Sequence, residues 1–439
     1  MHSEYYISMG IYKKAGTILG ITLIIIATAI TLNSGSNQVI KRQSGSAVTD
    51  DLDYNSSLYK ELTFQYDTFI RNTLLKENIP GLAVVIIKND KVILMKGYGV
   101  KKSGGNDSVD VNTVFRLGSV SKGFASVLTG ILINENKLSW DDQVIRFLPE
   151  FSLKNPEYTK RLTVRHVLSQ TSGLPMHTYT DLLDDNVPFS QIKPLLSGVD
   201  PISPPGKEYS YQNVMYSIIA DVLNSATGKD YKTLVKERIF VPLNMQHASL
   251  DYNTICCDSN VAYPHLYAGN NLWKPQKLND RYYTVAPASG VNASISDMAM
   301  WLKALIGDYP EFIPENALNE IFKPQIVTPI KRKFKHSWKN LDKLYYGLGW
   351  RIFECNGEKI IYHGGYVKGY RAEISIDSKE QTGIVVLFNA NCRLSNFCIP
   401  RFWEYYFYNK KCLTSEKSGT LTSLKDQFHN NQLFSFPAY

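Results

Sequence analysis

The chain is poor in cysteine: six in 439 residues, with no C-x-x-C spacing. That excludes a dithiol redox motif and a cysteine-ligated zinc module. Cys256 and Cys257 are sequence neighbours and do not bridge easily. Cys392 and Cys398 lie six apart and can close a small loop in an oxidising compartment, while buried free thiols suit at least some of the six. Histidine is also sparse, with eight residues and neither H-x-H-x-D nor H-E-x-x-H, so those zinc-hydrolase signatures are missing. No internal repeat occurs. Neither sign of charge dominates: 48 basic against 40 acidic residues leave a formal net charge of +8. The chain carries no zinc-finger or RNP-like signature, and this mild excess does not argue for a nucleic-acid partner.

What the chain does have is a globular composition, 44% hydrophobic and 20% charged, with material for a large core. A single long uncharged apolar run, Gly16 to Leu32, follows Lys13 and Lys14. As a secretory signal it offers a basic start and a small-x-small site at Ala27-Thr28-Ala29. As an uncleaved anchor it falls slightly short of the roughly 20 residues a membrane span needs. Either reading exports the remainder, to the periplasm or the extracytoplasmic face of a membrane. Lys13 and Lys14 favour an inside N-terminus, a signal weakened by Lys41 and Arg42. Residues 33–55 are rich in Ser, Gly, Asp and Asn and read as a linker. A domain over 56–413 and a polar tail over 414–439 complete the division.

"LYKELTFQYDTFIRNTLLKENIPG" has helical periodicity stopped at Pro80-Gly81. "LAVVIIKNDKVILMKGYGV" predicts a hairpin around Asn89-Asp90. The stretch "NTVFRLG" looks extended and "SVSKGFASVLTGILINENKLS" helical, so strand gives way to helix at Gly118-Ser119. From about Trp140 to Tyr309 helices and loops dominate, including "LTVRHVLSQTSGLP" and two helices broken at Gly228. Strands return after about Leu344, and a last helix runs through "PRFWEYYFYNKKC". Strands near both ends with helices between predict an α+β fold: an antiparallel sheet built from both termini, flanked by helices, with an inserted all-helical region.

Ser119-Val-Ser-Lys122 places a hydroxyl and an amine one helical turn apart. A desolvated lysine there can take the serine proton, and the helix start favours negative charge on oxygen. Spacing alone decides nothing. Ser57-Leu-Tyr-Lys60 has it too, and a serine at a helix start is normally a cap. Downstream, Tyr211-Gln-Asn213 sets a phenol and an amide two residues apart before a helix, on one side of an extended segment. A loop tyrosine and a capping asparagine would look the same. Farther on, an apolar strand runs into His363-Gly364-Gly365, where glycines mark a bulge, a tight turn or close approach of another backbone.

In this order the three stretches resemble the serine β-lactamase and penicillin-binding-protein superfamily, whose signature is S-x-x-K, then S-D-N or Y-x-N, then K-T-G or a variant. The similarity spans roughly Leu58 to Asn409 and is nearest the branch of class C β-lactamases, DD-carboxypeptidases and esterases. "KLSWDDQVIRFLPEF", "LTVRHVLSQTSGLP", "IFVPLNMQHAS", "APASGVNASISDMAMWLKALI" and "YGLGW" fall in family order. The resemblance implies that Ser119 is the acylated nucleophile and that Lys122 and Tyr211 share proton transfer. It implies that Asn213 positions Lys122 and substrate, and that His363, Gly364 and Gly365 edge the cleft. The backbone N–H groups of Ser119 and Tyr366 would form the oxyanion hole. No metal or other cofactor is implied. The substrate would be a small molecule or peptide, such as a cell-wall peptide or a β-lactam.

One departure matters. His363-Gly364 stands where the β-lactamases have Lys-Thr, which receive the substrate carboxylate. A neutral histidine and a bare glycine bind carboxylate less well, and Arg371 is a candidate replacement cation. Esterase, amidase or D-amino-acid peptidase chemistry is therefore expected ahead of β-lactam hydrolysis. The alternatives are a penicillin-binding protein that is acylated with little turnover, a true β-lactamase, and a non-catalytic membrane-anchored pseudoenzyme.

Overall fold

The run Leu82–Ile87 shows no polar alternation, so as a strand it needs apolar cover on both faces. The computed structural model, which describes residues 57–417, supplies that cover. Strand β1 (Gly81–Lys88) is buried throughout and pairs on one side with β2 (Lys91–Gly99) through a turn at Asn89, φ 53°. On its other side it pairs with a strand from the far end of the chain, giving one antiparallel sheet of both termini.

The intervening chain first forms the two-residue β3 (Phe115–Arg116), a 3₁₀ turn (Gly118–Val120) and the buried helix α2 (Ser121–Asn134). Helix α3 (Val214–Thr227) ends at Gly228, φ 74°. Then come β4 (Asn292–Ala293), paired with β3, and α4 (Ile295–Leu305). The remaining strands of the main sheet are β5 (Ile326–Val327), β6 (Leu341–Tyr346), β7 (Arg351–Cys355), β8 (Glu358–Val367), β9 (Tyr370–Asp377) and β10 (Thr382–Phe388). The eight-stranded order is β2-β1-β10-β9-β8-β7-β6-β5, antiparallel at every neighbour.

Two cores flank the sheet. On the front, Ala83, Val85, Ile374 and Val385 share one core with residues of α2 and α4, and α4 packs on β1 and β10. On the back, Val84, Ile86, Val386 and Phe388 meet α1 (Ser57–Lys76) and the C-terminal helix α5 (Leu394–Lys417). The expected α+β architecture is therefore present. Helix α5 begins earlier than expected, runs through Pro400 and continues past 413, where the polar tail was placed. The segment 265–293 is less purely helical than expected, because it contains β4 and a short hairpin. The signal or anchor over 1–32 and the linker over 33–55 lie outside the described residues. All six cysteines are free, including Cys392 and Cys398, which are buried in the apolar back layer rather than bridged.

Candidate active site

Ser119 lies one 3₁₀ turn ahead of α2 rather than on the helix itself. Gly118 makes this possible: its φ of 54° is left-handed, and a Cβ there would sit 2.7 Å from the Tyr366 nitrogen. Ser121 braces the turn, donating to the Gly118 carbonyl (2.6 Å) and accepting from the Val291 N–H (3.0 Å).

Lys122, in the first turn of α2, is fully buried. Its Nζ lies 3.5 Å from Ser119 Oγ and donates to Asn213 Oδ1 (2.8 Å) and the Ala288 carbonyl (3.0 Å). It makes no salt bridge to an Asp or Glu among the described residues. Burial, aided by the nearby Arg351 charge, holds its pKa well below the usual lysine value. The lowered pKa favours the neutral amine, the form that can accept a proton.

Tyr211 and Asn213 converge on Lys122, as the i, i+2 spacing predicts. The Lys122 Nζ is 4.6 Å from the Tyr211 ring centroid, and Ser119 is close enough to act on the Tyr211 phenol electrostatically. Burial raises the Tyr211 pKa, opposed by the nearby Ser119 and by Arg351, so the phenol stays protonated at neutral pH. Asn213 occupies the N-cap position of α3, but its side chain does not cap the helix; it is spent on Lys122.

Strand β8 supplies the opposite wall. A Cβ on Gly365 would fall 1.9 Å from the Leu117 carbonyl oxygen and 3.1 Å from the Ser119 nitrogen. Glycine lets β8 approach the nucleophile turn this closely, setting Tyr366 beside Gly118. Gly364 differs from the expectation of a cleft-lining position. A side chain there would run into the Tyr362 hydroxyl (2.7 Å) and Glu373 Oε2 (2.8 Å), which belong to the back of the sheet. His363 is buried, with Nε2 3.4 Å from the Tyr346 hydroxyl. Burial first, then Arg351 and Lys122, push its pKa well below the ordinary histidine value, so it is a neutral ring.

Arg371 does not supply the replacement cation. It pairs with Glu373 on the back of the sheet, and Glu373 also accepts from Tyr362 (2.5 Å). The cation at the cleft is Arg351, the first residue of β7, which the motif reading passed over. Its Cζ lies 5.6 Å from the ring centroids of both Tyr211 and Tyr346, and its Nη1 donates to the Tyr209 hydroxyl (3.1 Å). The Ala288 carbonyl was also missed. Both sit in segments whose sequence signal was present, "YGLGW" directly followed by Arg351 and "APASG" containing Ala288.

A family model described as Beta-lactamase matches residues 66–397. The chain belongs to the Beta-lactamase family. "Protein flp" from Staphylococcus aureus (strain MRSA252) is 25% identical over 380 residues, covering 83% of this chain and 70% of that protein. "Unguisins hydrolase ungD'" from Aspergillus campestris is 25% identical over 352 residues, covering 78% and 64%. The octameric penicillin-binding protein homologue from Pyrococcus abyssi superposes with a TM-score of 0.66 at 23% identity, covering 75% of this chain and 74% of that one. That likeness shows a shared fold.

Proposed function

We propose that the protein is a serine hydrolase that forms an acyl-enzyme on Ser119, acting on an ester, an amide or a D-amino-acid-type peptide. The observation that carries this reading is Lys122: fully buried, without a carboxylate partner among the described residues, and 3.5 Å from Ser119 Oγ. Neutral Lys122 takes the proton as Ser119 Oγ attacks a carbonyl carbon. Negative charge on the carbonyl oxygen is received by the N–H groups of Ser119 and Tyr366. The bond to the leaving atom then breaks, the Tyr211 hydroxyl supplies its proton, and Lys122 returns the proton to Tyr211. Water attacks the ester carbonyl in the second half and releases Ser119. A related chain named as a hydrolase supports this direction.

The apolar segment Gly16–Leu32 supports an exported enzyme acting outside the membrane, with cell-wall peptides within reach. The superposed chain is a penicillin-binding protein homologue, which favours a second reading in which acylation outpaces deacylation.

Treatment of wild type and Ser119→Ala with a fluorophosphonate and a fluorescent penicillin, followed by intact mass, tests the proposal. A single adduct on wild type and none on Ser119→Ala is expected. No adduct on wild type with either probe removes the catalytic reading. Labelling by the fluorophosphonate alone favours esterase or peptidase chemistry, and a burst with negligible turnover favours the second reading.

A further inference from the structure

Two exposed thiols lie apart from the residues that meet at Ser119. Cys256 and Cys257 end the short helix Tyr252–Cys257, and both are exposed and unbridged. Their Sγ atoms are 4.0 Å apart. The helix that carries them is fixed in place. Asp251 caps its start, accepting from the Thr254 N–H (2.8 Å), and Ile255 is buried in a small cluster with Val114 and Val261.

The sulfur separation decides which chemistry the pair can do. A disulfide needs its sulfurs about 2.05 Å apart and its Cα atoms at about 4.4 Å or more. The peptide holds neighbouring Cα atoms about 3.8 Å apart, so bridging these two would unwind the last turn of the helix. A single centre bonded to both sulfurs asks for less. Bonds of about 2.3 Å meeting at a tetrahedral angle set two sulfurs ~3.8 Å apart, close to the separation already present. Neither is Cys256 activated for single-sulfur chemistry: its pKa is raised, by desolvation first and then by Cys257. What the pair offers is two sulfurs at once, the second bond forming at high effective concentration after the first.

The guest must be complete with those two sulfurs. Among the described residues no group of three or more His, Cys, Asp or Glu side chains could hold a metal ion, so a four-ligand zinc site is not built here. Trivalent arsenic carrying one organic group needs only two more bonds, and soft centres of this kind prefer sulfur. We infer that Cys256 and Cys257 form a vicinal-dithiol site that captures trivalent organoarsenic compounds by chelation. The step involves no oxidation or reduction. Two S–H bonds of the protein and the As=O unit of the reagent give two As–S bonds. The oxygen leaves as water with both thiol protons, and arsenic stays trivalent.

The test treats the reduced full-length protein, freed of reductant, with one equivalent of phenylarsine oxide and then with excess 2-mercaptoethanol, read by intact mass. One phenylarsenic adduct is expected to survive the monothiol and to be removed by 2,3-dimercaptopropanol. Cys256→Ser and Cys257→Ser are each expected to hold the arsenical about 10²- to 10⁴-fold less tightly, the gain that a second linked contact gives. Cys412→Ser and Ser119→Ala are expected to keep the wild-type adduct. Release of the arsenical from wild type by the monothiol, or a monothiol-resistant adduct on either Cys256→Ser or Cys257→Ser, overturns the inference. Loss of the adduct in Cys412→Ser or Ser119→Ala overturns it too, by placing the arsenic elsewhere. So does a Cys256–Cys257 disulfide found by peptide mass in air-exposed protein, since the helix would then not hold the sulfurs apart.

Discussion

The two faces of the sheet bury charge in opposite ways. On the back, Arg371, Glu373 and Tyr362 form a closed set, with the guanidinium paired to the carboxylate and the phenol donating to it. Ser375, one step along β9, accepts from the Trp403 indole (2.9 Å) and donates to the Ile361 carbonyl (3.1 Å). On the front, Lys122 is as deeply buried and has neutral partners only, while Arg351, near the sheet edge, donates to the Tyr209 hydroxyl. Burying a charge is tolerated when it is paired or when the group gives up its proton. The back takes the first solution and is structural. The front takes the second, which leaves a base beside a hydroxyl.

Four measurements break or sharpen this contrast. The largest effect is expected at Lys122. Lys122→Met lowers the rate of Ser119 acylation by about 10²- to 10⁴-fold, the range for a lost general base. Its urea midpoint moves less than that of the back-face variant below. A Lys122→Met protein that acylates at the wild-type rate breaks the front half of the comparison.

Next is Glu373→Ala, which leaves Arg371 buried without its partner and is expected to lose about 3–5 kcal/mol of stability. Urea unfolding reads this, with acylation of the folded fraction staying near wild type. A loss under about 1 kcal/mol means the closed set is not what holds that face.

The third is a pH profile. A lysine whose pKa is depressed in the fold is a competent base above that lowered value and is lost as a base when pH falls through it. Arg351 adds to the depression that burial causes, so Arg351→Gln raises the pKa of the acid limb of kcat/KM for an uncharged ester substrate. A limb that stays in place separates Arg351 from Lys122 electrostatically.

The smallest effect is at His363. Its pKa is depressed by burial, so below the ordinary value near 6.5 the unfolded chain binds a proton that the fold refuses. Stability drawn from this residue is full above pH 6.5 and declines as pH falls below it, by up to ~1.4 kcal/mol per pH unit. His363→Asn is expected to show a shallower decline between pH 6.5 and 5. Identical slopes assign the acid sensitivity to other groups.

Much of this was legible in the chain. The buried run Leu82–Ile87 announced a strand covered on both sides, and the hairpin turn came at Asn89 as its residues suggest. The spacing of Tyr211 and Asn213 predicted that both would reach the same point, and they do. Two inferences from position went the other way. Arg371 is near His363 in sequence, but residues on neighbouring antiparallel strands share a face only in register, and Arg371 stands opposite Tyr366 with its guanidinium at the back. Gly364 resembles a lining residue until its missing Cβ is seen to aim at Glu373.

By itself, the sequence determined the local chemistry. A hydroxyl and an amine sit one turn apart, a phenol and an amide share a side, and glycines stand where backbones must meet. These follow from helix and strand periods, which act over a few residues. Only the tertiary structure decided which groups lose water and which charges find partners. Desolvation and ion pairing depend on chain segments hundreds of residues apart: burial, with Arg351 adding to it, holds the Lys122 pKa down, while Arg351 itself donates to the Tyr209 phenol rather than to a carboxylate.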